Sequence, residues 1–454
     1  MSEYTITNDI LFTNFLRSKP NISKATKTQY TAALNKFYKA VNTPLETVIN
    51  NCKNQQETLT EKTIFQGTDE DGNKVSQKQL IKFDVNSPTS YINIYLNTFI
   101  DYCKETKIKT NSINNYLTLI SAVLTFYKIE LPNFEKFDRK PSKWNLLTKE
   151  DFKFIINDCT LMYKGLIKLL MSNGMRLSDA LSLSIGDFMA ATNEYHNFVD
   201  VNDFIDNAPQ GMIGYWKFNP GKTRRFNIEC QTFNDPETSN LILQHLRKLK
   251  DEYYPNKNLK DGLNLIPSKD DPLFGSQKAY YKRNLTQDSV SDTFYNKNKK
   301  LHKHHLSMID EKISKGTLSI EDKEKEIAKI PKFHAHACRK YFESMVARNC
   351  GNLRICAILE GHTAPLSTDT SYIKIGFDEI LEAYMSVIPD LSLENTETKV
   401  YTSDIRREME SKINDLESKN QELESKLDEY SSFEERLRAL EENRPSWNEF
   451  VKGE

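Results

Sequence analysis

HAHACRKYF, residues 334–342, places His336 three positions ahead of Arg339. Outward from it, the chain carries Arg176 in NGMRLSDALSLSIGDF (173–188), Lys222 in NPGKTRRF (219–226), His362 in LEGHT (359–363) and Tyr372 in TDTSYIKI (368–375). In the sequence, no carboxylate pair and no metal-ligand cluster competes with this set. Two arginines, a lysine and two histidines converging on a point form an anion site. Arginine's planar fork suits phosphate oxygens better than the point charge of lysine. With a tyrosine added, the constellation points to nucleophilic attack on a phosphodiester.

Each position also has a plainer reading. Arg176 could form a surface salt bridge with Asp179. Lys222 competes with Lys217, Arg224 and Arg225, and as exposed hairpin charges all four suit simple phosphate contacts. His336 is preferred to His334 on register, which leaves His334 as a surface or core helix residue. A zinc site made from His334, His336, Cys338 and Cys350 matches no common module, and the cysteines read as helix packing. Tyr341 and Tyr384 sit among apolar neighbours and read as core, whereas Tyr372 follows the polar run Ser367 to Ser371. There is no GxSxG elbow, HExxH, EF-hand loop or GxGxxG. Gly221-Lys222-Thr223 is not a P-loop, because Trp216 stands where its first glycine belongs.

Taken in this order, the motifs resemble those of the tyrosine recombinases, the phage-integrase family. That signature is an Arg in a G-x-R-x-x-E/D turn, a hairpin Lys, an H-x-x-R box, a G-H dipeptide and a Tyr about one helix later. Arg176 with Asp179, Lys222 directly after Gly221, His336 with Arg339, Gly361-His362 and Tyr372 fall on it. The match spans most of residues 148–385, and the helical segment before it resembles the family's core-binding domain. Cys338 stands where leucine is usual and Lys340 where histidine is common. The interval from His362 to Tyr372 is about a residue longer than usual.

The resemblance implies a mainly α fold with a small β-sheet in two domains, a helical core-binding domain and a mixed α/β catalytic domain. It implies a site-specific DNA recombinase or integrase that cleaves and rejoins strands through a covalent 3′-phosphotyrosine. Tyr372 would attack, Arg176 and Arg339 would hold the nonbridging oxygens, and His362 would add a hydrogen bond. His336 would accept the tyrosine proton and Lys222 would protonate the departing 5′-oxygen. Asp179 would orient Arg176. Bond energy is conserved in the link, so neither ATP, a metal nor another cofactor is implied. The partner is double-stranded DNA, engaged by a homo-oligomer acting as a tetramer on paired sites. The alternatives are a catalytically silent DNA-binding protein on this fold and a scaffold assembled by its coiled coil.

Helical spacing organises the chain around these motifs. Tyr30, Ala33, Leu34, Phe37, Tyr38 and Val41 recur with a 3.6-residue period, and Lys27, Lys36 and Lys39 lie between them as candidate DNA contacts. The pattern returns from Ile92 to Cys103 and from Ile113 to Tyr127, with a polar turn expected around Gly67 to Lys74. The expected domains are 1–135, helical and DNA-clamping; 136–147, a basic linker; 148–395, catalytic; and 401–445, a coiled coil. Thr148 with Asp151 forms a capping box ahead of the apolar run Phe152 to Leu170. Residues 196–230 read as a short β-sheet turning at Pro220-Gly221, and 295–330 as solvated helices or an inserted surface loop. From Ile405 to Leu440 heptads run with Met409, Leu416, Leu423 and Tyr430 at d and Ile413, Asn420 and Leu427 at a, a pattern suited to a parallel dimer.

Composition bounds the remaining possibilities. The 454 residues are 38% hydrophobic and 28% charged, a polar but foldable balance. The net charge of −1 hides about +4 over residues 1–140 and about −6 over 401–454. No apolar run approaches the roughly 20 residues of a bilayer-spanning helix, and the first ten residues lack a secretory pattern. Seven scattered cysteines without CxxC pairs fit a reducing compartment. The expectation is a soluble, intracellular, DNA-associated protein without membrane contact.

Overall fold

The computed structural model describes residues 5–68, 74–138, 145–221, 229–254, 267–362 and 375–394, with isolated positions 418, 419, 423, 425 and 426. The chain divides into two compact units, 1–143 and 144–454. Both are mainly helical, and each holds one two-stranded antiparallel sheet.

In the first unit, helices α1 (Ile10–Arg17), α2 (Lys24–Val41), α3 (Leu45–Glu57), α4 (Tyr91–Glu105) and α5 (Thr110–Phe126) enclose one core. Its centre is made by the periodic residues, with Ala33, Leu34, Phe37, Ile92, Leu96, Phe99, Leu117 and Ile120 all buried. Ser23 caps α2 by accepting from the Thr26 N–H, and Asn42 ends it in the left-handed region (φ 48°). Lys27 and Lys39 are exposed on α2, while the Lys36 ammonium lies 5.9 Å from the centre of the Tyr116 ring.

Where only a turn was expected, strand β1 (Leu59–Thr68) pairs with β2 (Lys74–Lys82), with Leu59 opposite Lys82 and a bulge between Phe65 and Gly67. Leu59, Ile64 and Leu80 are exposed, although Ile64 lies on the opposite face of the ribbon from the other two. A ribbon wet on both faces carries no period-two signal, which is why the sequence hides it. The first part of the expected linker is pinned: Asn114 donates its Nδ2–H to the Phe137 carbonyl (2.7 Å) and accepts from the Phe137 N–H (3.0 Å). At its other end, Leu147 is buried in the core of the second unit.

The second unit is built around α7 (Leu161–Asn173), apolar on nearly every side. The capping box forms as expected and starts α6 (Lys149–Asn157), but the apolar run then breaks at Thr160 into two helices. Short helices α8 (Leu177–Ala180), α9 (Ile185–Ala191) and α10 (Val201–Asn207) follow. Strands β3 (Gly214–Phe218) and β4 (Cys230–Asn234) form the small sheet, with Gly214 opposite Asn234. The expected sheet was therefore too broad at its start. Val201 lies in a helix, where Asp200 caps the N-terminus by accepting from the N–H groups of Asn202 and Asp203, and this cap outweighs β-branched propensity.

Beyond α11 (Pro236–Lys248), the region read as solvated is α12 (Gln287–Ser314), 28 residues long, followed by α13 (Lys323–Ile327). It is not all surface: Leu301 and Ile309 are buried, the His304 ring stacks 4.3 Å from Phe154, and His305 bonds Asp151 (2.6 Å). Helices α14 (Ala335–Asn349), α15 (Leu353–Glu360) and α16 (Phe377–Leu391) complete the unit. Tyr341 and Tyr384 are core residues, and their hydroxyls donate to the carbonyls of Asp390 and Ser172. The seven cysteines are free thiols. The expected coiled coil lies outside the described residues apart from the five isolated positions. Among the described residues, no helix is long and apolar enough to cross a membrane.

At the centre of α7 sits a fully buried lysine. Lys168 Nζ donates to Asp235 Oδ2 (2.7 Å) and the Leu391 carbonyl (2.9 Å), and pairs with Glu237 Oε2 at 2.8 Å. Burial alone would pull its pKa down, but the two carboxylates and their hydrogen bonds outweigh it and hold the ammonium above its usual value. The same Glu237 oxygen accepts from the Leu393 N–H (2.8 Å), so the cluster fastens the end of α16 to the core.

Candidate active site

Two left-handed glycines position the site. Gly174 ends α7 at φ +65°, and a Cβ there would stand 2.3 Å from the Phe342 ring of α14. Gly361 ends α15 at φ +61°, where a Cβ would meet Cys230 at 3.0 Å and Pro220 at 3.1 Å. Only glycine satisfies both the dihedral and the close approach. The ends of α7 and α15 are thereby brought to one point.

Arg339 lies at that point, 5% exposed. Its Nη1 donates to the Gly174 carbonyl (2.6 Å), and its Nη2 donates to the Glu360 carbonyl (2.6 Å) and to His362 Nε2 (2.8 Å). Its Nε donates to Glu343 Oε1 (2.7 Å), one helical turn along α14. The two carbonyls are the negative ends of helices, which favours a cation between them. Four of the five guanidinium hydrogens are thus committed among the described residues, and one on Nη1 remains.

His362 is oriented by the same network. Because Nε2 accepts from Arg339, the neutral ring carries its proton on Nδ1, which donates to Glu360 Oε2 (3.0 Å). Its side chain is 45% exposed. Glu343 Oε1 stands 3.8 Å from His362 Nε2. The carboxylates of Glu343 and Glu360 and the His362 ring lie within 4.8 Å of one another, a donor set that alone would suit a divalent cation. Arg339 supplies the positive charge there.

Arg176 caps the N-terminus of α8, where its carbonyl accepts from the N–H groups of Asp179 and Ala180. Among the described residues its guanidinium makes no hydrogen bond or ion pair, so its fork is available. Partial burial, then the charge of Arg339, pulls its pKa below the usual value, and Asp179 opposes the shift. Among the described residues Asp179 makes no hydrogen bond to Arg176: its Oδ1 accepts from the Gly221 N–H (3.1 Å), and its Oδ2 is buried without a partner there. The carboxylate therefore ties the Arg176 turn to Gly221, three residues beyond β3.

His334 caps α14, its Nδ1 accepting from the Ala337 N–H (3.1 Å), which gives it a more specific role than the surface or core position expected. The ring of His336, at the surface, lies nearly parallel to it at 6.4 Å. Partial burial and the charges of Lys340, Arg339 and Arg176 pull the His336 pKa below its usual value against the pull of Glu343, which favours the neutral ring. Cys230 is felt electrostatically by both arginines, yet burial pushes its thiol up to about 12 and leaves it inert.

Of the residues singled out in the sequence, Arg176, Asp179, His336, Arg339 and His362 share this region. Lys222, Arg224, Arg225 and Tyr372 lie outside the described residues. Sequence reasoning missed Glu343 and Glu360. The i,i+4 spacing of Glu343 from Arg339 was a usable signal, whereas Glu360 is placed only by the Gly361 turn.

No family model matches the sequence, and no curated protein matches it. Solved structures do. The chain is similar to the Tn1549 transposon integrase in complex with transposon right end DNA, at 16% identity over 84% of this chain and 98% of that one, TM-score 0.42. It is similar to the lambda integrase bound to DNA, at 11% identity over 81% and 98%, TM-score 0.41. A third is XerA recombinase, at 13% identity over 83% and 96%, TM-score 0.27. These are tyrosine recombinases and integrases, the group whose motifs the sequence resembles.

Proposed function

We propose that this chain is a site-specific DNA recombinase or integrase that breaks and rejoins strands through a tyrosine–phosphate link. The observation that carries the reading is the convergence of Arg176, its fork unbonded among the described residues, on Arg339, His336 and His362. Such a cluster in partial burial stabilises the extra negative charge of a phosphoryl transition state.

In this reading the Tyr372 oxygen bonds to the scissile phosphorus and gives its proton to His336. The bond to the 5′-oxygen breaks, and that oxygen takes a proton from Lys222. Arg176 and the remaining Nη1 hydrogen of Arg339 hold the nonbridging oxygens. A 5′-hydroxyl from a second duplex reverses the step. Lys27 and Lys39, exposed on α2, together with Arg224 and Arg225 contact backbone phosphates. Recombination takes place in a homo-tetramer on two duplexes, and the acidic heptads of residues 401–445 pair protomers as a coiled coil. A silent DNA-binding protein would share the arginines but leave no covalent trace.

Trapping on a nicked duplex tests this reading. The wild-type chain should form a covalent protein–DNA adduct, and Tyr372→Phe should abolish it while leaving duplex binding nearly intact. Adducts persisting in that variant would reassign the nucleophile.

A further inference from the structure

We propose that Glu343 is a built-in counter-anion that fills a phosphate-oxygen position on Arg339 and gives it up when a phosphate enters. The inference rests on the reading of this cluster as a phosphate site. Glu343 Oε1 accepts from Arg339 Nε at 2.7 Å and lies 3.8 Å from His362 Nε2. A nonbridging phosphate oxygen accepting from Arg339 Nε would take the place of this carboxylate oxygen.

Glu343 differs from the other acceptors around Arg339. The carbonyls of Gly174 and Glu360 are fixed helix ends, whereas Glu343 is a side chain 24% exposed, free to turn toward solvent. Beside it opens a cleft of about 430 Å³ lined by Lys332, Lys340, Glu343 and Ser344, with Glu360 at its edge. Lys332 and Lys340 offer the displaced carboxylate new cationic neighbours. Among the described residues Arg176 needs no such release, so the two arginines divide the work: one is open there, and the other offers a single Nη1 hydrogen until Glu343 leaves. The consequence is selectivity, because only an anion that bonds both arginines at once recovers what is lost by displacing Glu343.

The test measures inorganic phosphate binding to the full chain by calorimetry. Glu343→Gln keeps an oxygen acceptor for Nε and removes the charge, so phosphate should bind about tenfold tighter, equivalent to about 1.4 kcal/mol. Glu343→Ala should also tighten binding. On nicked duplex, the Glu343→Gln gain should fall on KM rather than kcat. If Glu343 only braces Arg339, Glu343→Gln would bind phosphate like wild type, Glu343→Ala more weakly, and either result overturns the proposal. Should the variants misfold, ¹⁵N-arginine labelling of the wild type decides: at saturating phosphate the Arg339 Nε–H must shift its resonance and gain a through-hydrogen-bond coupling to ³¹P, and an unchanged resonance without that coupling overturns the proposal. Phosphate bound by wild type without a gain in Glu343→Gln would strike only the role of Glu343. Binding by neither would strike the phosphate reading as well.

Discussion

Lys168 and Arg339 are both nearly buried cations in the same unit, each surrounded by carboxylates and helix-end carbonyls, yet they end in opposite conditions. The Lys168 ammonium is closed on all sides by Asp235, Glu237 and the Leu391 carbonyl, and no part of its side chain meets solvent. Around Arg339 the bonds are as short, but among the described residues the neighbourhood is unfinished: Arg176 has an unbonded fork, Asp179 Oδ2 has no partner, and His362 is half in water. A polar cluster that serves the fold uses up its hydrogen-bonding capacity, and one that serves a ligand keeps some in reserve. Unspent capacity is therefore a better guide to function than charge or burial.

The comparison can be broken most severely at its closed end. Lys168→Met removes the cation and leaves Asp235 and Glu237 buried against each other, so the chain should lose about 3–5 kcal/mol in denaturant unfolding. A loss below about 1 kcal/mol would show that water reaches the cluster.

A histidine away from both clusters tests the cost of burial through pH. His245 on α11 is 5% exposed, its Nε2 has no partner among the described residues, and burial pulls its pKa from 6.5 down to about 4. Between those values the unfolded chain binds a proton that the folded chain refuses. Stability is therefore full above pH 6.5 and falls as pH drops toward 4, by about 3 kcal/mol from this residue alone. His245→Phe should flatten that part of the stability–pH curve, and an unchanged slope would assign it to other groups.

The smallest stability effect belongs to the open site. Arg176→Gln removes a fork that bonds nothing among the described residues, so unfolding free energy should stay within about 0.5 kcal/mol of wild type. Cleavage of nicked duplex should nevertheless fall by at least about 100-fold. A large stability loss with intact cleavage would reverse the distinction between the clusters.

Much of the open site was legible because its members lie at fixed offsets in short motifs. His336 and Arg339 share one helix, and Gly361 precedes His362 because the turn there needs a left-handed residue. The helices of the first unit were legible for a related reason, since Tyr30, Leu34 and Phe37 or Ile92, Leu96 and Phe99 mark one buried face. What stayed hidden depends on distant partners. Lys168 sits in an apolar run, and nothing local shows that Asp235 and Glu237, more than sixty residues on, come to meet it. The resemblance implied that Asp179 orients Arg176, and nothing local shows that its Oδ1 also accepts from Gly221, 42 residues away. The β1–β2 ribbon escaped notice because neither of its faces is dry.

The reach of Arg339 also has a meaning in time. Its guanidinium closes on Gly174, made 165 residues earlier, and on Glu360, made 21 residues later. At about 5–20 residues per second, a ribosome takes roughly 10–40 s to deliver all three. Through that interval the turn bearing Arg176 exists as nascent chain without the side chain that completes the anion site. In the proposed function, a half-made protein in a cell full of nucleic acid would carry loose positive charge but no assembled grip on phosphate, and would gain that grip only after α15 has been synthesised and docked.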